Sequence, residues 1–215
     1  MVADPIPTDA SPRGGSVAAT IRRERLVAVL RRVEPRSRLI ELVTDLAAAG
    51  VRIFEITFDA PDAVGDLVAC RSALGDGAGI VGAGTVRTAS QLREAADAGA
   101  AFAVAPVFDH AIVEASIRLG LPFIPAAFTP TEADAAWRTG ATFVKLFPGS
   151  ALGPKFVREL RGPLPEIETI VTGGVDASNA RAFLDAGAIA VGVGGALVRA
   201  SADERRAIVE AVAAE

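Results

Sequence analysis

Short runs of Val, Ile, Leu and Phe alternate along the chain with longer segments rich in Ala, Leu, Arg and Glu. The short runs have the length of strands, and the longer segments, of roughly 10–15 residues, have the length of helices, a pattern typical of βα units around a parallel sheet. Eight such units can be counted. They predict strands at residues 26–30, 51–57, 80–83, 101–105, 122–126, 142–147, 169–172 and 189–193.

A glycine ends several of the helical segments directly before the next strand. These glycines are Gly50, Gly99, Gly120, Gly140 and Gly187. Glycine readily adopts the left-handed conformation that ends a helix. We therefore predict an α/β fold, a single (β/α)8 TIM barrel with short loops. A doubly wound open sheet shows the same alternation, but eight units in fewer than 200 residues favour a closed barrel, which has no strand edges.

Composition indicates how the core is built and which classes of partner and metal site to expect. The chain has 215 residues, of which 51% are hydrophobic and only 5% aromatic, so the core is built from small aliphatic side chains, as in buried parallel strands. The formal net charge of −4 is spread along the chain, which predicts no nucleic-acid partner and no acidic-membrane partner. One Cys and one His leave no internal disulfide, and we expect no metal site.

The first 20 residues differ from the rest because they are rich in Pro, Asp, Ala, Ser and Gly. We interpret residues 1–20 as a flexible tail that precedes a (β/α)8 barrel over residues 21–215. The tail has no apolar stretch of roughly 7–15 residues, which a secretory signal needs. The apolar runs elsewhere are far shorter than the ~20 residues of a membrane helix. The sequence therefore predicts a cytoplasmic protein.

One lysine stands out because the chain otherwise uses arginine for positive charge. Of 22 basic residues, all but Lys145 and Lys155 are Arg. Lys145 lies in the middle of an apolar strand and shares a face with Phe143 and Phe147, since side chains alternate along a strand. Desolvation lowers the pKa of an amine, which can then attack a ketone as a nucleophile. The alternative is a side chain whose head reaches solvent or pairs with a carboxylate.

Three more polar side chains follow or end predicted strands, where a barrel carries its chemistry. Glu55 in the second strand can transfer protons, although an ion pair with Lys145 or Arg31 is an alternative role. Arg31, at the end of the first strand, can hold a substrate carboxylate. Thr85 offers a hydroxyl after Gly82-Ala83-Gly84, small residues that allow either close approach of a ligand or a plain tight turn.

Paired glycines follow the last two predicted strands. Gly173 and Gly174 follow the seventh strand, and Gly194 and Gly195 follow the eighth. Such loops expose backbone N–H groups at the usual phosphate site of barrels. The remaining unusual residues, His110, Trp137 and Cys70, fall in helical or loop segments, and we interpret them as packing or surface residues.

Six motifs together carry a resemblance to a known family. In chain order they are Val-Ala-Val-Leu-Arg, Phe-Glu-Ile-Thr-Phe, Val-Gly-Ala-Gly-Thr-Val, Phe-Val-Lys-Leu-Phe-Pro, Thr-Gly-Gly-Val and Val-Gly-Val-Gly-Gly. Residues 26–198 resemble the class I 2-keto-3-deoxy-6-phosphogluconate (KDPG) and 4-hydroxy-2-oxoglutarate (KHG) aldolases. The resemblance implies a homotrimer with no metal and no organic cofactor.

The resemblance also implies a role for each candidate residue. Lys145 is the Schiff-base lysine and Glu55 the general acid and base. Substrate contacts fall on Arg31 and Thr85 for the carboxylate, on Pro106 and Phe147, and on the phosphate loops of Gly173, Gly174, Gly194 and Gly195. Four positions depart from the family pattern and bear on phosphate affinity and substrate length: Asp59 in place of an Arg, Gly195 and Ala105 each in place of a Ser, and Ala126 in place of a Gly.

The implied reaction cleaves a 2-keto-3-deoxy-6-phospho sugar acid, or KHG, to pyruvate and an aldehyde. Within the aldolases, the alternative substrate is the phosphogalactonate epimer or an unphosphorylated keto acid. Outside them, the alternatives are a phosphate-binding barrel isomerase or synthase and a non-catalytic trimeric scaffold.

Overall fold

Nine parallel strand segments form a nearly closed barrel in the computed structural model, which describes residue 13, residues 15–75 and residues 77–213. The segments pair in the order β5-β4-β3-β2-β1-β9-β8-β7-β6. Their bounds are β1 Leu26–Leu30, β2 Ile53–Thr57, β3 Ile80–Gly84, β4 Ala103–Val104, β5 Phe123–Ile124, β6 Ala126–Ala127, β7 Val144–Leu146, β8 Thr169–Thr172 and β9 Ala190–Val193.

The ring closes through a strand that is divided in two at Pro125. On one side of this proline β5 pairs with β4, and on the other side β6 pairs with β7. Proline has no N–H to donate to a ladder, so the strand is interrupted there. Nine segments therefore correspond to the eight predicted units, and the predicted TIM barrel is confirmed.

Helices alternate with the strands and cover the outside of the barrel. Their bounds are α1 Ser16–Glu24, α2 Arg36–Ala48, α3 Ala63–Leu74, α4 Ala89–Asp97, α5 His110–Leu119, α6 Pro130–Arg138, α7 Gly149–Arg161, α8 Ala180–Asp185, α9 Gly195–Arg199 and α10 Ala202–Ala213. The five predicted glycines after helices all have positive φ, between 64° and 105°. No helix within the described residues is long and apolar enough to cross a membrane.

The strand bounds agree with the prediction at β1 and β8, β3 extends one residue further to Gly84, β6 ends one residue later at Ala127, and the remaining strands are shorter. Val51, for example, was expected in the second strand, but its N–H donates to the carbonyl of Leu46 at 2.9 Å. It therefore belongs to the turn that leaves α2, and β2 begins two residues later. The predicted runs included apolar residues that approach the sheet without joining its ladder.

Alternate residues of each strand face two separate apolar regions. In β7, Val144 and Leu146 face the helices, whereas Phe143, just before the strand, packs inside the barrel. The interior cluster is shared by most strands and contains Val27, Ile53, Phe102, Val104, Ile124, Phe143, Ile170 and Ala190. Because side chains alternate, Lys145 and Glu55 fall on the same inner face, two residues beyond Phe143 and Ile53.

Helix α1 packs on the amino-terminal end of the barrel interior. Ala18 and Ile21 have no exposed surface and join the interior cluster. The Nε of Arg22 donates to Oε1 of Glu168 at 2.7 Å, and Glu168 directly precedes β8. The prediction of a flexible tail is therefore wrong for residues 16–20, because an apolar helical face there covers the barrel interior. Residues 1–12 and 14 of the predicted tail lie outside the described residues.

Candidate active site

The carboxyl ends of the strands bring most of the predicted site residues to one end of the barrel. Arg31 and Thr85 directly follow β1 and β3, Glu55 and Lys145 lie within β2 and β7, and the two glycine pairs follow β8 and β9. A cavity of about 520 Å³ opens at this end. It is lined by Arg31, Lys145, Phe147 and both glycine pairs, among others.

Lys145 is almost fully buried on the inner face of β7. Its relative exposure is 5%, and its Nζ lies 5.0 Å from the centroid of the Phe147 ring. Ala126 is its register partner on β6. Burial lowers the pKa of the Lys145 ammonium, and the nearby Arg31 charge lowers it further, although Glu55 opposes both effects. The side chain is only slightly exposed, at the wall of the cavity, so a lysine head extended into bulk solvent is not what the structure has.

Glu55 is buried on the inner face of β2 with a relative exposure of 2%. Its Oε1 has no hydrogen-bond partner among the described residues. Burial raises the pKa of the Glu55 carboxyl, although the charges of Lys145 and Arg31 lower it in part. Within the described chain Glu55 forms no ion pair, so the predicted alternative of a pair that holds the barrel closed is not what the structure has. Glu55 is not among the residues that line the cavity.

The small residues of β3 serve a purpose different from the predicted approach of a ligand. A Cβ atom at Gly84 would overlap the carboxyl group of Glu55, and one at Gly82 would lie 2.6 Å from the Phe102 ring. The missing side chains therefore make room for Glu55 and for the interior core. Gly84 belongs to the site because its lack of a side chain leaves room for the Glu55 carboxyl beside β3.

Arg31 is fixed at the mouth by two neighbours. Its Nη1 lies 2.8 Å from Oδ2 of Asp59, and its Nη2 donates to Oγ1 of Thr85 at 3.1 Å. Arg32 also lies 3.3 Å from the Asp59 carboxylate. Burial tends to raise the pKa of the Asp59 carboxyl, but the Thr57 hydroxyl and the two guanidinium groups lower it overall. The structure thus joins the predicted pair Arg31 and Thr85, and adds Asp59 to it.

The two glycine pairs form one side of the cavity. Gly173 and Gly174 have φ values of 86° and 77°, which favour glycine. Among the hydrogen bonds of the described residues, none has the N–H of Gly173, Gly174, Gly194 or Gly195 as its donor. Unengaged N–H groups beside a cavity are donors for an anionic group.

A family model described as "Aldolase: KDPG and KHG aldolase" matches residues 17–212. This chain belongs to the KDPG and KHG aldolase family. It is 33% identical over 189 residues to the 2-dehydro-3-deoxy-6-phosphogalactonate aldolase of Escherichia coli strain K12, covering 87% of this chain and 91% of that protein. It is 32% identical to the 2-dehydro-3-deoxy-phosphogluconate aldolase of Treponema pallidum strain Nichols, covering 76% of this chain and 77% of that protein.

Solved structures agree with the family membership. The chain superimposes on a structure described as "Native KDPGal structure" with a TM-score of 0.79 and 32% identity, covering 86% of this chain and 93% of that one. Like that structure, this aldolase is a barrel of alternating strands and helices. Within the described residues, this aldolase has no group of three or more His, Cys, Asp or Glu side chains that could hold a metal ion.

Some residues fall outside the cavity of this aldolase. Pro106, after β4, is half-buried and does not line it. Ala105 packs in the outer core, so the missing Ser hydroxyl there would not face the cavity. Lys155 is exposed and pairs with Glu159 at 3.6 Å. Cys70 is buried in α3 and His110 is exposed at the start of α5, as predicted for packing and surface residues.

Sequence reasoning missed three polar residues that line the cavity. Thr172 ends β8, and its buried Oγ1 has no partner among the described residues. Alternation along β8 could have found it, since Thr172 shares the inner face with Ile170. Asp176 and Arg199 also line the cavity. They lie beyond the glycine pairs in loop and helix segments, where no strand periodicity points to them.

Proposed function

We propose that this aldolase cleaves KDPG to pyruvate and glyceraldehyde 3-phosphate through a Schiff base on Lys145, and that it also cleaves KHG to pyruvate and glyoxylate. The observation that supports the proposal best is a buried lysine with a lowered pKa at the wall of an open cavity. Desolvation lowers the pKa of the amine and so increases the share of the neutral form, which attacks a carbonyl.

In the first half of the proposed reaction, the neutral Nζ of Lys145 adds to the C2 ketone. Loss of water leaves a protonated imine, and the C3–C4 bond then breaks with its electron pair flowing into the imine. The C4 hydroxyl loses its proton and becomes the carbonyl of the aldehyde product. An enamine of pyruvate remains on Lys145 until C3 is protonated and water hydrolyses the imine.

Glu55 is the proposed proton carrier for these steps. Its carboxyl is buried, has an unpartnered oxygen, and has a raised pKa. A carboxyl with a raised pKa is a better proton acceptor, suited to take the C4 hydroxyl proton and to return a proton to C3. Glu55 and Lys145 both lie on the inner face near the carboxyl end of the barrel, and each influences the pKa of the other.

The carboxylate end and the phosphate end of the substrate would bind two different kinds of hydrogen-bond donor. We assign the carboxylate to Arg31 and Thr85, which are already hydrogen-bonded to each other. The terminal phosphate is assigned to the N–H groups of Gly173, Gly174, Gly194 and Gly195. Phe147 packs beside the Lys145 amine, while Pro106 stays a predicted contact that does not line the cavity.

Trapping with borohydride tests the imine. Incubation with pyruvate and borohydride should add one reduced pyruvate to Lys145, detected by intact mass and by peptide mapping. The chain supplies a matched control, because Lys155 is its other lysine and is exposed. Lys155→Ala should still form the adduct, whereas Lys145→Arg should not. An unmodified wild-type mass would refute the mechanism and favour an isomerase, a synthase or a scaffold.

The phosphogalactonate epimer is a second candidate substrate, supported by similarity to the Escherichia coli phosphogalactonate aldolase. Values of kcat/KM for KDPG, for its C4 epimer and for the unphosphorylated acids would rank the substrates. A higher kcat/KM for the epimer would replace KDPG in the proposal. The homotrimer stays a prediction, and the mass of the particle in solution tests it.

A further inference from the structure

We propose that Arg199 binds the terminal phosphate of the substrate and supplies the contact that a loop hydroxyl would otherwise make at position 195. The inference rests on the proposed function, because it assumes a phosphorylated substrate in the cavity beside Lys145. It adds a charged residue to a phosphate site that otherwise consists of neutral backbone N–H groups.

Arg199 lies at the end of α9 and lines the same cavity as Lys145 and the glycine pairs. Residues four apart on a helix are neighbours, and Arg199 is four residues beyond Gly195. Its guanidinium folds back over this glycine: a Cβ atom at position 195 would lie 2.7 Å from Nη1 and 3.0 Å from Nη2 of Arg199. The guanidinium is therefore placed over the glycine loop that follows β9.

The guanidinium of Arg199 has no acidic partner in the described part of the chain. Most arginines at the carboxyl end of the barrel pair with acids; Arg31, for example, pairs with Asp59. Arg199 forms no ion pair and no hydrogen bond among the described residues. Asp176 is the acid that lines the cavity with it, and its Oδ1 accepts from the N–H and Oγ of Ser178 at 2.8 and 2.6 Å. An unpaired guanidinium is suited to a phosphate, which it can bind with two parallel hydrogen bonds.

Gly195 and the guanidinium of Arg199 lie directly against each other. A serine at position 195 would put its Cβ atom against the guanidinium, so the end of the Arg199 side chain would have to move. The close approach of the two residues accounts for the lack of a side chain at position 195. It also predicts that substitutions at positions 195 and 199 are not additive.

The test compares phosphorylated and unphosphorylated substrates in Arg199→Ala. We expect kcat/KM for KDPG to fall roughly 10- to 100-fold, the loss typical of one hydrogen-bonded charge. The value for the unphosphorylated acid should change by less than twofold, and so should the rate of pyruvate trapping on Lys145. Inorganic phosphate should inhibit the variant more weakly than the wild type. Arg158→Ala, which removes an equally exposed arginine from α7 outside the cavity, should match the wild type.

Gly195→Ser supplies a second, independent test. Alone it should displace the guanidinium and lower kcat/KM for KDPG, and in the Arg199→Ala background it should restore part of the lost activity. Equal losses on both substrates, or no loss on KDPG, would overturn the role of Arg199 while leaving the aldolase intact. Failure of the wild type to form an adduct or to cleave any keto acid would instead overturn the proposed function.

Discussion

The two ends of the barrel interior are built from the same strand positions but differ in chemistry. At the amino-terminal end, Phe143 and Ile53 pack with Ile21 of α1 in an apolar cluster. Two residues further along the same strands, Lys145 and Glu55 are buried and ionisable. A rise of about 7 Å along each strand thus separates packing from chemistry. The amino-terminal layer contributes apolar packing to stability, whereas the carboxyl-terminal layer buries two ionisable groups, which costs stability.

The largest effect on activity is expected from Lys145→Ala. Cleavage and pyruvate trapping should fall below detection, because no other buried amine is present on β7. The melting temperature should stay equal to that of the wild type or rise, since the variant no longer buries an amine. Calorimetry checks this, with Lys155→Ala as control; a large fall in melting temperature would show that the carboxyl-terminal layer is also structural.

Glu55→Gln should lower kcat roughly 10²- to 10⁴-fold, the usual contribution of general acid–base catalysis. It should also change the pH dependence of imine trapping. The Glu55 carboxylate raises the pKa of Lys145, so its removal should lower that pKa and leave more neutral amine at a given pH. The acid limb of the trapping profile should therefore move to lower pH. A shift to higher pH would contradict the coupling between the two groups.

Ile21→Ala probes the amino-terminal layer. The side chain is fully buried, and its truncation should lower the free energy of unfolding by about 2–5 kcal/mol. Because α1 is remote from the cavity, kcat/KM should change by less than twofold. Ile117 is 40% exposed, and Ile117→Ala should cost less than about 0.5 kcal/mol. A loss of activity in Ile21→Ala at temperatures where the variant is folded would show that the amino-terminal layer also contributes to activity.

The smallest effect is expected from Asp59→Asn at the exposed rim. The asparagine can still accept a hydrogen bond from Arg31, but it no longer competes with the substrate carboxylate for that charge. KM for KDPG should fall roughly two- to fivefold with kcat unchanged, the scale of an exposed ion pair. In Asp59→Ala, Arg31 loses its partner and KM should rise instead. The same change of KM in both variants would show that the negative charge of Asp59 and its hydrogen bond to Arg31 affect substrate binding in the same way.

The barrel and the buried pair of ionisable residues could be predicted from the sequence because both follow from strand periodicity. Alternation placed Lys145 and Glu55 on inner faces, and the glycines after the helices marked the unit boundaries. The pairing of Arg31 with Asp59 could not be predicted, since it joins loops after two different strands. Helix α1 was missed because the Pro and Asp residues before Ser16 dominate the composition of the first 20 residues.

The ion pair between Arg22 and Glu168 has a consequence for synthesis on the ribosome. The two residues are 146 positions apart, so α1 is made well before the segment that it contacts. At about 5–20 residues per second, α1 is synthesised roughly 7–30 s before its partner exists. For that interval the apolar face around Ile21 is without the barrel interior that covers it in the folded protein.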